Sequence, residues 1–180
     1  MKKRYTLSVF TENHIGLLNR VTIIFTRRHI NIESITASES EVKGVFRYTI
    51  VVICEHKQVK NLVKQIEKLV DVLGALYYED ENTVYQEIAL YKVGTKSFQK
   101  TGKMETLIRK HNARILTVEE EFSVIEKTGH QWETQALFED LEPLGVLEFA
   151  RSGRVAITRP MKMLSTYLKE MDNSSTFNNN

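Results

Sequence analysis

Three residues near the start of the chain have the types and spacing of a binding site for a small molecule. Asn13 and Gly16 lie where a predicted strand (Tyr5 to Thr11) is followed by a predicted amphipathic helix (residues 17–28), and Asn31 opens the next strand. A glycine at such a turn lets the backbone approach a bound anion, and the first free N–H groups of the helix point toward it. Each asparagine offers both a donor and an acceptor, which suits the carboxylate and ammonium of a free amino acid. The spacing favours a small-molecule sensor over an enzyme.

Each of these residues also has an ordinary structural explanation. Asn13 and Gly16 could simply begin a helix, with an Asx turn and a tolerated glycine, and Asn31 alone indicates little. Their combination at the two ends of one helix favours a ligand site. The five histidines show no metal-ligand spacing, and there is no phosphate-binding loop or nucleophile elbow. The sequence therefore predicts no catalytic residue and no metal site.

Composition narrows the class of protein further. The chain has 180 residues, 42% hydrophobic and 27% charged, with a net charge of +2, so no strong field draws it to nucleic acid or anionic lipid. The longest apolar run, Ile50 to Cys54, is too short to span a bilayer. Cys54 is the only cysteine, which excludes an internal disulfide and fits a reducing compartment. We expect a cytoplasmic protein whose single thiol lies in a core strand.

The pattern of apolar residues predicts an α+β fold made of two tandem ferredoxin-like βαββαβ domains. In the first domain, Lys43-Gly44 turns the chain into a third strand. Its alternate residues are all apolar and should face the helices: Phe46, Tyr48, Ile50, Val52 and Cys54. The second helix should place one apolar stripe against the same core: Val59, Leu62, Val63, Ile66, Leu69 and Val70. The same order of elements recurs from Val84.

These patterns also set the expected domain boundaries. We predict a first domain over residues 1–79, an acidic solvated linker over 80–83 and a second domain over 84–160. Residues 161–180 should form a short helix and a disordered tail, because the end of the chain is rich in Ser and Asn and has little to bury. We expect the part from Asp172 onward to be dispensable for stability.

One segment is similar to an RNA-recognition motif, which occurs on this same topology. Residues 43–48 read Lys-Gly-Val-Phe-Arg-Tyr. That motif exposes aromatic residues at its third and fifth positions, which are here Val45 and Arg47. Phe46 and Tyr48 should instead point into the core, so RNA binding stays the weaker alternative.

Two segments of the first domain resemble the small, regulatory subunits of acetolactate synthase, also called acetohydroxyacid synthase. Residues 12–21 read Glu-Asn-x-x-Gly-x-Leu-x-Arg-Val, and residues 31–34 read Asn-Ile-Glu-Ser. Further likeness lies in residues 7–9, 68–73, 86–93 and 150–153. The resemblance covers residues 4–160.

The resemblance implies an ACT domain that binds an amino acid, followed by a ferredoxin-like domain. ACT domains of this kind pair edge to edge as homodimers, with the effector between the β1–α1 turn of one protomer and the neighbouring protomer. The effector would be a branched-chain amino acid, above all valine. Carried over by position, Asn13 and Asn31 would hold its polar groups, and the backbone at Ile15, Gly16 and Leu17 would meet its carboxylate. Leu18 and Ile32 would help to enclose its side chain.

The resemblance also implies a partner. The large catalytic subunit would hold thiamine diphosphate, Mg²⁺ and flavin, whereas this chain would carry no cofactor and would activate the partner and make it sensitive to feedback inhibition. A stand-alone ACT-type sensor acting on another enzyme is the alternative within the same fold. The chain departs from the family pattern at Leu17 and Gln86, and at His29-Ile30, where Gly-Tyr or Gly-Phe is usual. If that turn needs a positive φ, His29 carries strain that glycine would not.

Overall fold

The computed structural model describes residues 1–95, 103–159, 164–167 and 169, which form two compact units. The first contains residues up to Val84 together with the described residues from Arg154 on, and the second spans Tyr85–Gly153. Each unit has the strand and helix order βαββαβ, so the predicted α+β class with two ferredoxin-like domains is confirmed. No helix in the described part of the chain is both long enough and apolar enough to cross a membrane.

The first unit is a four-stranded antiparallel sheet with the strand order β2-β3-β1-β4. Its elements are β1 (Lys2–Glu12), α1 (Leu17–Arg27), β2 (Ile32–Glu39), β3 (Val45–Glu55), α2 (His56–Ile66) and β4 (Val72–Glu79). Both helices pack on one face of the sheet, where alternate residues of β1 and β3 are buried with apolar residues of α1 and α2. As predicted, Tyr48, Ile50, Val52 and Cys54 lie in this core, with Phe46 packed against it.

The C-terminus of α1 determines the backbone conformation of the residues just before Asn31. Ile30 donates its N–H to the carbonyl of Phe25 (3.1 Å) and His29 donates to Thr26 (3.1 Å), which is the Schellman arrangement of a helix C-terminus. Ile30 and Phe25 are both buried in the core, which supplies the hydrophobic contact of that motif. His29 has φ +52°, so the condition for strain at this turn is met at a residue that is not glycine.

The apolar stripe of α2 is shorter than predicted. The helix ends at Ile66, and Leu69 donates its N–H to the carbonyl of Ile66 within a turn (3.0 Å). Leu69 still packs against the core, but Val70 is 74% exposed. The prediction for Val70 was wrong because the 3.6-residue period does not continue through that turn.

The second unit has the sheet order β6-β7-β5-β8. Its elements are β5 (Thr83–Gly94), α3 (Lys103–Lys110), β6 (Arg114–Val118), β7 (Phe122–Gly129), α4 (Gln131–Leu141) and β8 (Val146–Arg151). Tyr91 is fully buried, donates its hydroxyl to the carbonyl of Thr134 (2.6 Å), and has its pKa raised to about 12 by burial. Asn112, with φ +49°, ends α3 in the same way that His29 ends α1. The two units thus repeat one supersecondary plan.

The chain from Arg154 returns to the first unit, whereas the sequence predicted a second domain reaching residue 160. The buried Arg154 side chain donates to the Thr6 hydroxyl (2.9 Å) and to Asp80 Oδ1 (2.6 Å). Asp80–Asn82, within the segment predicted as an acidic linker, form a short 3-10 helix. Asp80 neutralises the buried guanidinium, which explains the boundary.

The face of the first sheet opposite its helices is covered by residues near the end of the chain. After strand β9 (Val155–Thr158), residues 164–167 are helical. Leu164 is buried with Phe10 and Val45, and Tyr167 packs against the same cluster. Apart from Lys169, the rest of the predicted tail, including everything from Asp172, lies outside the described residues.

Candidate functional site

The β1–α1 turn presents the open N-terminus of a helix. Gly16 is the N-cap residue of α1, with φ +83° and ψ −5°, a left-handed conformation that favours glycine. The Leu17 N–H donates to the carbonyl of His14 (3.2 Å), but no backbone carbonyl of the described residues accepts the N–H of Leu18 or Asn19. The first turn of α1 contains no acidic residue that would neutralise this end. The turn can therefore receive an anion through backbone donors and the helix dipole.

The side chains around this turn differ in their exposure. Ile15 is fully exposed and Leu18 is 40% exposed, so both can contact a ligand, while Asn13 is also exposed. Leu17 is completely buried, and its N–H is already used within the turn. The Leu17 N–H is therefore less available to a ligand than the N–H groups of Leu18 and Asn19.

The second asparagine lies at the opposite end of the same sheet. Ile32 pairs with Val52, which pairs with Tyr5 on β1, whereas Asn13 follows Glu12 at the far end of β1. Seven residues of extended strand separate these two levels, a distance of about 23 Å. Asn31, which is exposed, donates its side-chain N–H to Glu33 Oε1 (3.2 Å), and Ile32 packs against the core. One protomer therefore does not bring Asn13 and Asn31 together around one amino acid.

A network of ionic groups at the turn has no signal in the sequence. Asp71, which lies between α2 and β4, accepts a hydrogen bond from Arg20 (Nη2 to Oδ2, 2.7 Å), and His14 Nδ1 lies 3.4 Å from the same oxygen. Glu12 Oε2 is 3.6 Å from His14 Nε2. The hydrogen bond from Arg20, and after it that from His14, lowers the pKa of Asp71. Sequence reasoning missed Asp71 because it is remote in the chain from the residues it holds.

This network is an ion-pair arrangement. The ligand atoms of Glu12, His14 and Asp71 lie within 4.8 Å of one another, as a metal site would require. However, Arg20 already occupies Asp71 Oδ2 at 2.7 Å and supplies the positive charge that a metal ion would bring.

Two buried groups near the sheet carry no chemistry of their own. The Thr11 hydroxyl, at the end of β1, is buried and has no hydrogen-bond partner among the described residues. Cys54 is buried in the first core, and burial raises the pKa of its thiol, which makes it a poor nucleophile.

Tyr48 lies in that core, so one of the two aromatic residues of the RNA-type segment is unavailable for base stacking.

The fold and this turn define the first unit as an ACT domain, and the family described as AHAS small subunit-like ACT domain matches residues 7–74. The family described as small subunit of acetolactate synthase matches residues 86–160. The chain belongs to the acetolactate synthase small-subunit family.

Similar proteins agree along most of the chain. The acetolactate synthase small subunit of Bacillus subtilis is 39% identical over 160 residues, covering 88% of this chain and 91% of that protein. That of Mycobacterium bovis is 35% identical over 164 residues, covering 91% and 97%. The crystal structure of the small subunit from Thermotoga maritima has a TM-score of 0.80 at 32% identity and covers 89% of this chain and 99% of that chain.

Proposed function

We propose that this chain is a non-catalytic regulatory subunit that activates the large subunit of acetolactate synthase and confers feedback inhibition by a branched-chain amino acid, above all valine. The observation that carries the proposal is the open N-terminus of α1 behind Gly16, in a chain that belongs to the small-subunit family. The large subunit, with thiamine diphosphate, Mg²⁺ and flavin, would perform the reaction, and this chain would bind none of these groups.

The chemistry of the turn fits a free amino acid. The N–H groups of Leu18 and Asn19 would receive the carboxylate, helped by the helix dipole. The amide oxygen of an asparagine would accept from the ammonium. The exposed part of Leu18 and the side chain of Ile32 from the neighbouring protomer would enclose a branched aliphatic side chain, whose burial contributes about 1.5–3 kcal/mol.

The separation of Asn13 from Asn31 supports a site shared between two protomers. β2 is an edge strand, and its end at Glu39 is level with Thr11 through Phe46 of β3. If two β2 strands pair antiparallel about a twofold axis, the start of one lies beside the end of the other. Asn31 of one protomer then lies level with the β1–α1 turn of its partner. The proposed homodimer through the ACT domain would thus complete the site.

Effector binding would act on the large subunit through this shared interface. An allosteric coupling of about 1–3 kcal/mol changes a partner's affinity roughly five- to 150-fold. Because the site lies between protomers, an effector can change their fit and, through it, the surface offered to the large subunit.

The test is a comparison of Gly16→Asp with Gly16→Asn in the enzyme reconstituted from both subunits. Asp and Asn have similar size and both tolerate the left-handed backbone of Gly16, and no atom lies within 4 Å of a Cβ built there. Only Asp places a negative charge where the effector carboxylate would bind. Loss of one charge-assisted contact of about 1.5–3 kcal/mol would weaken inhibition roughly ten- to a hundredfold.

The expected result is that Gly16→Asp activates the large subunit but loses most of its response to valine, while Gly16→Asn keeps more of it. If Gly16→Asp stays as sensitive as the parent, Gly16 only begins a helix and the proposed site is wrong. A chain that binds valine but neither binds nor activates the large subunit would instead be a stand-alone sensor.

A further inference from the structure

Asp71 holds three parts of the β1–α1 turn at once. Its backbone carbonyl accepts the N–H of Glu12 (3.0 Å), where the turn begins. Its carboxylate lies 3.4 Å from His14 in the middle of the turn and accepts from Arg20 (2.7 Å) in the helix that follows. Its φ of +72° shows that the α2–β4 turn adopts a left-handed conformation at this residue.

The outer side of the turn faces solvent. Ile15 is fully exposed, and a Cβ built at Gly16 would meet nothing within 4 Å. Among the described residues, the contacts with Asp71 and the burial of Leu17 connect the turn to the rest of the unit. The Asp71 carboxylate is therefore one of the groups that fix the position of the turn.

We infer that Asp71, together with Arg20, is a positioning residue of the effector site: the pair holds the β1–α1 turn in the conformation that presents the N–H groups of α1. This inference rests on the proposed function of that turn. A binding site that is already ordered loses less conformational entropy when the ligand binds, so removing the clamp lowers affinity without removing a ligand contact.

The clamp should matter more for the effector than for folding. The side chains of Arg20 and Asp71 are 42% and 20% exposed, and ion pairs exposed to this degree contribute little to stability. A loosened turn, however, must be ordered again at each binding event. We expect the effector concentration at half-inhibition to rise about three- to tenfold.

The experiment uses Asp71→Asn, Arg20→Gln and the double variant in the reconstituted enzyme. Asn tolerates the left-handed backbone of position 71 and leaves the backbone bond from Glu12 in place. Glu79→Gln is the matched control, because it removes a similarly short ion pair of the same unit, Lys3 Nζ to Glu79 Oε2 at 2.8 Å, away from the turn. Half-inhibition by valine, effector-free turnover and valine binding by calorimetry are measured for each variant.

The valine concentration at half-inhibition should rise about three- to tenfold in both single variants, rise no further in the double variant and stay unchanged in the control. An unchanged half-inhibition in Asp71→Asn would overturn it, as would a loss of effector-free turnover in proportion to the loss of inhibition, since that marks a merely structural role. If the parent enzyme responds to none of valine, leucine and isoleucine, the proposed function itself fails and takes the inference with it. The two failures are thus distinguishable by the parent enzyme alone.

Discussion

A dimer assembled from two different variants would show whether the effector site is shared between chains. One chain carries Gly16→Asp and the other Asn31→Ala, each marked with its own affinity tag so that the mixed dimer can be isolated. If Gly16 of one chain and Asn31 of its partner form one site, the mixed dimer contains one doubly altered site and one intact site. Each variant homodimer contains two altered sites.

The magnitude follows from the register of the sheet and from the contact with a charged group of the effector that each substitution weakens. About 23 Å of β1 separates the levels of the two residues in one protomer, so an amino acid cannot touch both there. Losing one favourable contact with a charged group, by repulsion in Gly16→Asp or by removal of the amide in Asn31→Ala, weakens binding roughly tenfold or more in either homodimer. Asn31 is exposed and bonds only to Glu33 among the described residues, so Asn31→Ala should leave stability within about 0.5 kcal/mol.

Calorimetric titration with valine gives the readout. The mixed dimer should bind about one valine per dimer with the parental affinity, and the homodimers none at that affinity. If the mixed dimer binds as weakly as its two parents, both residues act within one chain, and the shared site is refuted.

Three further predictions concern stability. His29→Gly should raise the free energy of unfolding by about 0.5–1 kcal/mol in thermal denaturation, because glycine relieves the left-handed strain at φ +52° but loses more entropy on folding; an unchanged or lower Tm would contradict this. Gly129→Ala should lower the free energy of unfolding by about 1–3 kcal/mol, since a Cβ there would lie 2.9 Å from Glu133 Oε2 and displace the carboxylate that caps α4. An unchanged Tm would show that the Glu133 side chain moves aside freely. A hydrogen bond from Lys110, and after it one from His111, holds the pKa of Asp140 below its usual value. The stability that the ionised Asp140 carboxylate gives the fold is therefore present above about pH 4 and is lost as pH falls through the lowered pKa. The Asp140→Asn variant should lose less stability than the parent on acidification. An equal loss in both would contradict the contribution assigned to Asp140.

Local patterns predicted the elements well where one physical rule decides the outcome. The alternation of β3 identified its buried face because successive residues of a strand point to opposite sides. The departure at His29 marked a position where strain would follow from a positive φ, and the Schellman arrangement requires a left-handed residue there. The predicted apolar stripe of α2 extended too far, to Val70, because periodicity does not show where a helix ends.

Contacts between remote parts of the chain could not be predicted in this way. Nothing near Asp71 in the sequence indicates that it holds Arg20 and His14. The return of Arg154 to Asp80 is equally hidden, since two opposite charges far apart in sequence are too common to pair by inspection. The residues of the β1–α1 turn could be named from their motif, whereas their distance from Asn31 required the register of the sheet.

The most direct test of the proposed function is the turnover of the large subunit with and without this chain, measured across valine, leucine and isoleucine. The chain alone, supplied with thiamine diphosphate and Mg²⁺, should form no acetolactate. Added to the large subunit, it should raise turnover, and at least one of the three amino acids, valine foremost, should then lower it. Acetolactate made by this chain alone, or a large subunit that the chain neither activates nor makes sensitive to any of the three, would contradict the proposal.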